Sequence, residues 1–219
     1  MNRYLIRAAL LALAALPLAC SAGEAPYEAG KQYLEVPAGA PAPTVSQPDH
    51  VKVQEAFWYG CPHCYAFEPT VQAWVAKKPA YVEFERIPSS LGRPQGMMHS
   101  KAFYTAQLLG IGDKIHRPLF DAIHQQHLMM DTQDALRELF IAKGGVTKED
   151  FDGAFDSFAV DSKVRQAEGQ LRDYGLTGVP SVIVGGKYVV TGTTAGGHDK
   201  VFPIVDFLVE KVRKETKAK

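Results

Sequence analysis

Apolar and polar residues alternate from Val51 to Tyr59 in the run Val-Lys-Val-Gln-Glu-Ala-Phe-Trp-Tyr, the period-two pattern of a strand. Glu55 falls on the apolar side with Val51, Val53 and Phe57, while Lys52 and Gln54 point the other way. Gly60 ends the run. The period then changes: Cys64, Phe67, Val71, Trp74 and Val75 recur at three- and four-residue steps, one face of a helix. Pro69 is expected to kink this helix, and Lys77-Lys78-Pro79 to close it. A second strand is predicted at 81–87. From about 97 to 174 the pattern is helical, with stops at Gly110, Gly112, Gly144-Gly145 and Gly175 and starts at Thr132 and Thr147. Strands return as Val182-Ile183-Val184 and Tyr188-Val189-Val190 around a Gly185-Gly186-Lys187 turn, and a last helix runs from Asp199 to about Val212. Upstream, residues 27–49 are irregular and proline-rich, with room only for a short edge strand at 31–36.

Composition changes this picture little. The chain has 219 residues, 46% of them hydrophobic, enough to bury the core of one large domain or of one domain with an insertion. Its 24 Lys+Arg balance 24 Asp+Glu, so no nucleic-acid partner is expected. The first stretch stands apart. Arg3 and Arg7 precede a run of Ala and Leu over 8–19, broken once by Pro17 and followed by the small residues Ser21, Ala22 and Gly23. This is the pattern of a secretory signal peptide, 1–22, too short to span a bilayer comfortably. A lipoprotein signal ending before Cys20 is the alternative, with Cys20 as the lipidated first residue; Pro17 stands where such signals usually carry an aliphatic residue. Both routes lead to an oxidising compartment. The mature chain divides into an N-terminal segment, 23–49, and a strand–helix–strand unit, 50–92. A helical insertion follows at 93–175, then a hairpin–helix unit at 176–219. That order is a thioredoxin-type α/β sheet interrupted by an all-helical insertion.

Cys61 and Cys64 carry the sharpest chemistry. Between a strand and a helix, Cys61 sits at the helix N-terminus, where unpaired N–H groups and the helix dipole favour a thiolate. Thiolate is the nucleophile of thiol–disulfide exchange. Cys64, three residues on, faces the apolar side and is the resolving thiol. His63 adds an imidazole beside the thiolate, and Pro62 stiffens the turn. A zinc site would need four ligands, and no second C-x-x-C or histidine pair accompanies this one. A purely structural disulfide would close so short a loop that it gains little chain entropy. Glu55, a carboxylate on an apolar face leading into Cys61, should have a raised pKa and can exchange protons with Cys64; satisfaction by Lys52 or water is the plainer reading. Gly178-Val179-Pro180 precedes a strand, where an X–Pro bond can be cis and leave the backbone before it free to pair with an extended chain.

The run Glu55-Ala56-Phe57-Trp58-Tyr59-Gly60-Cys61-Pro62-His63-Cys64-Tyr65-Ala66-Phe67-Glu68, with Gly178-Val179-Pro180-Ser181, resembles the DsbA family of bacterial periplasmic thiol:disulfide oxidases. Pro118-Leu119-Phe120 and the turn into Tyr188 are similar too. The resemblance covers about 27–212. It implies that Cys61 is the nucleophile, Cys64 the resolving thiol and Glu55 the buried acid. It further implies that Pro180 is a cis-proline and Val179 its substrate-contacting neighbour. It also implies a monomeric enzyme that donates the Cys61–Cys64 disulfide to reduced exported polypeptides. A DsbB-type membrane oxidase would reoxidise it, and no cofactor beyond the cysteine pair would be needed. A disulfide isomerase or reductase is the nearest rival, although residues 27–49 leave no room for a dimerisation domain. A chaperone-like binding module with dispensable cysteines is the rival from another class.

Overall fold

The computed structural model describes residues 26–217. The proposed signal peptide, 1–22, and Cys20 lie outside them. Five strands form one sheet: β1 (Leu34–Glu35), β2 (Val51–Phe57), β3 (Val82–Pro88), β4 (Ser181–Val184) and β5 (Tyr188–Thr191), in the order β1-β5-β4-β2-β3. Helix α1 (Pro62–Val75) connects β2 to β3, which pair in parallel, whereas β4 runs antiparallel to both β2 and β5. Between β3 and β4 lies the expected helical block: α2 (Pro94–Leu108), α3 (Gly112–His124), α4 (Gln133–Leu139), α5 (Lys148–Phe155) and α6 (Phe158–Asp173). A short α7 (Gly192–Ala195) and a single turn at His198–Lys200 lead into α8 (Val201–Lys217).

Most elements follow from the local pattern. Thr132 and Thr147 accept hydrogen bonds from Ala135 N and Asp150 N as helix N-caps. Gly185 and Gly186 take φ of 61° and 65°, the left-handed conformation that closes a tight hairpin. Other expectations are corrected. The edge strand shrinks to Leu34–Glu35, which pairs with Tyr188 and Val189. Gly112 begins α3 rather than ending a helix. The last helix starts at Val201 and extends to Lys217.

Two layers cover the sheet. On one face α1 and α8 bury Phe67, Val71, Val205, Leu208 and Val209 against Val51, Val53, Val182 and Val190. At about 1.5–3 kcal/mol for each large apolar side chain removed from water, this burial outweighs any helix propensity in holding α8. On the other face Ala167, Leu171 and Tyr174 pack on Ala56, Ile87 and Ile183. Strand β2 is thus covered on both sides, and Gln54, on the polar side of the alternation, is buried with Tyr174 Oη donating to its side chain at 2.9 Å. A third cluster joins Phe57, Tyr59, Cys61 and Cys64 to the insertion's own core, including Phe103, Leu119 and Phe151. No helix among the described residues is long and apolar enough to cross a membrane.

Candidate active site

The chain leaves β2 at Phe57 and turns through Trp58-Tyr59-Gly60, with Cys61 N donating to Trp58 O at 3.0 Å. Gly60 lets the Trp58 ring pack against this turn: a Cβ there would lie 2.3 Å from the ring, which would have to shift. Cys61 is the N-cap of α1, in extended conformation, and Pro62 occupies the first turn, where its missing N–H leaves nothing unpaired. Both cysteines are free thiols. Cys64 N donates to Cys61 Sγ at 3.4 Å, the hydrogen bond of a cap made with sulfur.

The two sulfurs lie in opposed environments. A hydrogen bond from the Cys64 thiol, the N–H groups of Cys64 and His63 and the charge of the His63 imidazole outweigh burial and bring Cys61 down to about 6. Burial, together with the same contact with Cys61, pushes Cys64 well above the ordinary thiol value. His63 is exposed on the first turn. The Val179–Pro180 bond is cis, and Val179 O accepts from Cys61 Sγ at 3.7 Å. The structure therefore brings Cys61, Pro62, His63, Cys64, Val179 and Pro180 together across more than a hundred residues of sequence.

Glu55 is 1% exposed, and its partner is Arg86 rather than Lys52, which pairs with Glu83. Arg86 faces Glu55 in the parallel register of β2 and β3; its Nε donates to Glu55 Oε2 at 3.1 Å. Burial raises the Glu55 pKa to about 8, with the Arg86 cation opposing and Glu68 reinforcing the shift. Its charge is felt at Cys64.

The same guanidinium donates to Glu68 Oε1 at 2.7 Å, and Gln72 donates to that oxygen at 2.9 Å. Burial pushes the Glu68 carboxyl up, but His116, Arg86 and Gln72 together hold it below the usual carboxylate range. His116 Nε2 lies 3.3 Å from Glu68 Oε2, off the line of a hydrogen bond, while its Nδ1 bonds Tyr59 Oη at 2.9 Å. A chain of polar contacts thus runs Glu55–Arg86–Glu68–His116–Tyr59. Glu68, Arg86 and His116 also line a cavity of about 1320 Å³ between α1, β3 and the insertion. Of these, Glu68 was detectable in the sequence, as a carboxylate in register with Cys64 and Val71 on the apolar stripe of α1. Arg86 and His116 become visible only with strand register and helix packing.

No group of three or more metal-ligating side chains occurs among the described residues. The DSBA-like thioredoxin domain family matches residues 52–200. The thiol:disulfide interchange protein DsbA of Pseudomonas syringae pv. tomato is 41% identical over 218 residues, covering 100% of this chain and 99% of its own. The crystal structure of Pseudomonas aeruginosa DsbA superposes with a TM-score of 0.78 at 39% identity, over 87% of this chain and 97% of that one. Proteus mirabilis DsbA, solved with a non-covalently bound cysteine-containing peptide, has a TM-score of 0.66 at 27% identity, over 87% and 98% of the two chains. With a thioredoxin sheet, a helical insertion and a Cys-Pro-His-Cys turn at their seam, the chain belongs to the DsbA-like thioredoxin family and is a protein thiol:disulfide oxidoreductase.

Proposed function

We propose that the protein is a periplasmic oxidase that transfers its Cys61–Cys64 disulfide to reduced, newly exported polypeptides. The opposed environments of the two sulfurs carry this reading: the N-cap sulfur is stable as a thiolate, and its neighbour is buried and held as a thiol. A client thiolate attacks Cys61 Sγ, the Cys61–Cys64 bond breaks, and Cys64 leaves and takes up a proton. A second client thiolate then attacks the client sulfur of the mixed disulfide and expels Cys61 as its thiolate. The client loses two electrons and the enzyme dithiol gains them. Because stabilising the Cys61 thiolate stabilises the reduced enzyme, the disulfide form is a good oxidant, as is known for the DsbA family.

Val179 offers backbone beside Cys61 for an extended client segment, and the Proteus relative holds a non-covalently bound peptide. A DsbB-type membrane oxidase returns the dithiol to the disulfide. The cysteine pair is the only redox group required, and the enzyme acts as a monomer. The segment 1–22 directs export and is removed with Cys20; the mass of the mature protein distinguishes this from retention of a lipidated Cys20. Equilibration with glutathione tests the direction of transfer. A potential as reducing as that of thioredoxin, about −270 mV, overturns the oxidase reading.

Glu55 supplies and accepts the proton that Cys64 exchanges, a role suited to a carboxyl at about 8. Its raised pKa means that folding opposes its ionisation, so the parent protein loses stability as pH rises from the unfolded carboxyl value through 8. Glu55→Gln removes that loss and leaves Arg86 paired with Glu68. The variant should match the parent near pH 4, exceed it by about 4 kcal/mol at pH 8, and exchange more slowly. Denaturant unfolding at the two pH values and stopped-flow exchange rates check this. Unchanged rates from pH 5 to 8 would leave Glu55 a structural residue.

A further inference from the structure

His198 lies more than 130 residues beyond the Cys-Pro-His-Cys turn, yet the fold sets its ring against that turn. Its centroid is 6.3 Å from that of His63, edge to face, with an interplanar angle of 85°. Behind it stands Phe67, at 5.0 Å. Phe67 stacks on Phe202 at 5.5 Å, and Phe202 stacks on Trp74 at 4.6 Å. The far end is pinned by Trp74 Nε1, which donates to Asp206 at 2.8 Å. Five rings from α1, α8 and the turn that leads into α8 thus form one column that ends on His63.

The column is rigid where His63 is not. Phe67 and Phe202 are buried in the sheet core, whereas His63 is exposed and no hydrogen bond fixes its ring among the described residues. His198 is confined from the side as well: a Cβ on Gly192 would meet its Cδ2 at 2.5 Å, so the imidazole lies directly against the backbone at the start of α7. The loop that carries it is closed by Gly197 N donating to Gly192 O at 2.8 Å. An imidazole influences a sulfur only while it stays near it, and an exposed ring otherwise spreads over several rotamers.

We propose that His198 is a positioning residue that holds the His63 ring beside the Cys61 sulfur. It does so as the last fixed ring of the column, through edge-to-face contact, a geometry worth about 0.5–1.5 kcal/mol between aromatic rings. The remaining charged groups of its segment, Asp199 and Lys200, are exposed; α7 carries none, and the first turn of α1 has no acidic residue. His63 is therefore the group through which His198 reaches Cys61. This role rests on the oxidase reading of the same site and adds to it the device that keeps the thiolate stabilised.

The test is the Cys61 pKa, read from thiolate absorbance near 240 nm against pH, in His198→Ala, in His198→Phe, and in both His63 and His63→Ala backgrounds. His198→Ala should raise that pKa by about half a unit, a roughly threefold shift in the thiolate equilibrium, and make the disulfide correspondingly less oxidising against glutathione. His198→Phe, which restores a ring in the same space, should keep the parent value. In the His63→Ala background His198→Ala should have no further effect, the outcome of a double-mutant cycle when one residue acts through the other. No shift in His198→Ala, an equal shift without His63, or failure of Phe to restore the parent value would each overturn the proposal. If His198→Ala does not fold, His198→Leu, which fills the space without a ring, takes its place, a raised pKa supporting the proposal and a parent-like one overturning it. An ordinary thiol pKa in the unmutated protein would instead strike at the oxidase reading itself.

Discussion

Cys64→Ser is expected to arrest exchange at the mixed disulfide, whereas Cys61→Ser should abolish capture altogether. At pH 7 a Cys61 sulfur titrating near 6 is about nine-tenths thiolate, so it attacks disulfides in solution whether or not Cys64 is present. Where the adduct partner brings no second thiol, release needs a nucleophile inside the protein, and Cys64, 1% exposed and in contact with Cys61 Sγ, is the group placed to supply it. A serine hydroxyl of the same size remains protonated and does not break a disulfide. Adducts of Cys61 with glutathione or single-thiol clients should therefore accumulate in Cys64→Ser, visible on non-reducing gels and by intact mass. Cys61→Ser should show none. Turnover of a dithiol peptide should fall at least about a thousandfold in both, the order expected when a nucleophile is removed. Turnover by Cys64→Ser, or adducts on Cys61→Ser, would reverse the assignment of the two sulfurs.

The reduced protein should gain stability over the oxidised one as pH rises from 5 to 8. The thiolate contribution follows from a folded pKa of about 6 against an ordinary value of 9. Because the folded value is the lower, the contribution is absent below pH 6, grows between 6 and 9, and is complete above 9. Its limiting slope is ~1.4 kcal/mol per pH unit; solvent screening at a sulfur at the mouth of the site reduces this by about half. The oxidised form has no thiolate. Titrations common to both forms, such as that of Glu55, cancel in the comparison, and the disulfide closes too short a loop to offset the effect. Parallel guanidinium unfolding of the two forms should show the reduced form gaining about 1–2 kcal/mol between pH 5 and 8. A gap independent of pH would mean that Cys61 is not a stabilised thiolate.

Local signals carried the architecture and the motif. The alternation of β2 ran straight into a helical stripe, which placed Cys61 at a helix start before any contact was known, and it set Glu55 among Val51, Val53 and Phe57. Partners were another matter. Alternation says which face a residue takes but not which strand lies beside it, so Arg86 stayed hidden until the parallel register put it opposite Glu55, and Lys52 looked the nearer cation. Likewise the alternation sets Gln54 on the face opposite Glu55, but a period of two cannot distinguish an exposed face from one covered by α6 and Tyr174. His116 and His198 come from segments whose own patterns are ordinary; only packing gives them neighbours.

The seat of the cysteines in the insertion's core has a consequence for protein engineering. Cys64 is 1% exposed within a cluster that joins Phe57 and Tyr59 to residues of α2, α3 and α5. Transplanting the Cys-Pro-His-Cys turn onto a bare thioredoxin scaffold would carry over the N-cap and the imidazole and leave that cluster behind. The graft would inherit the nucleophile without the suppressed partner, and its redox set point would drift towards that of its host. Conversely, the cluster is a handle: substitutions at Phe103, Leu119 or Phe151, remote from both sulfurs in sequence, offer a means of retuning this enzyme while every residue of the motif stays in place.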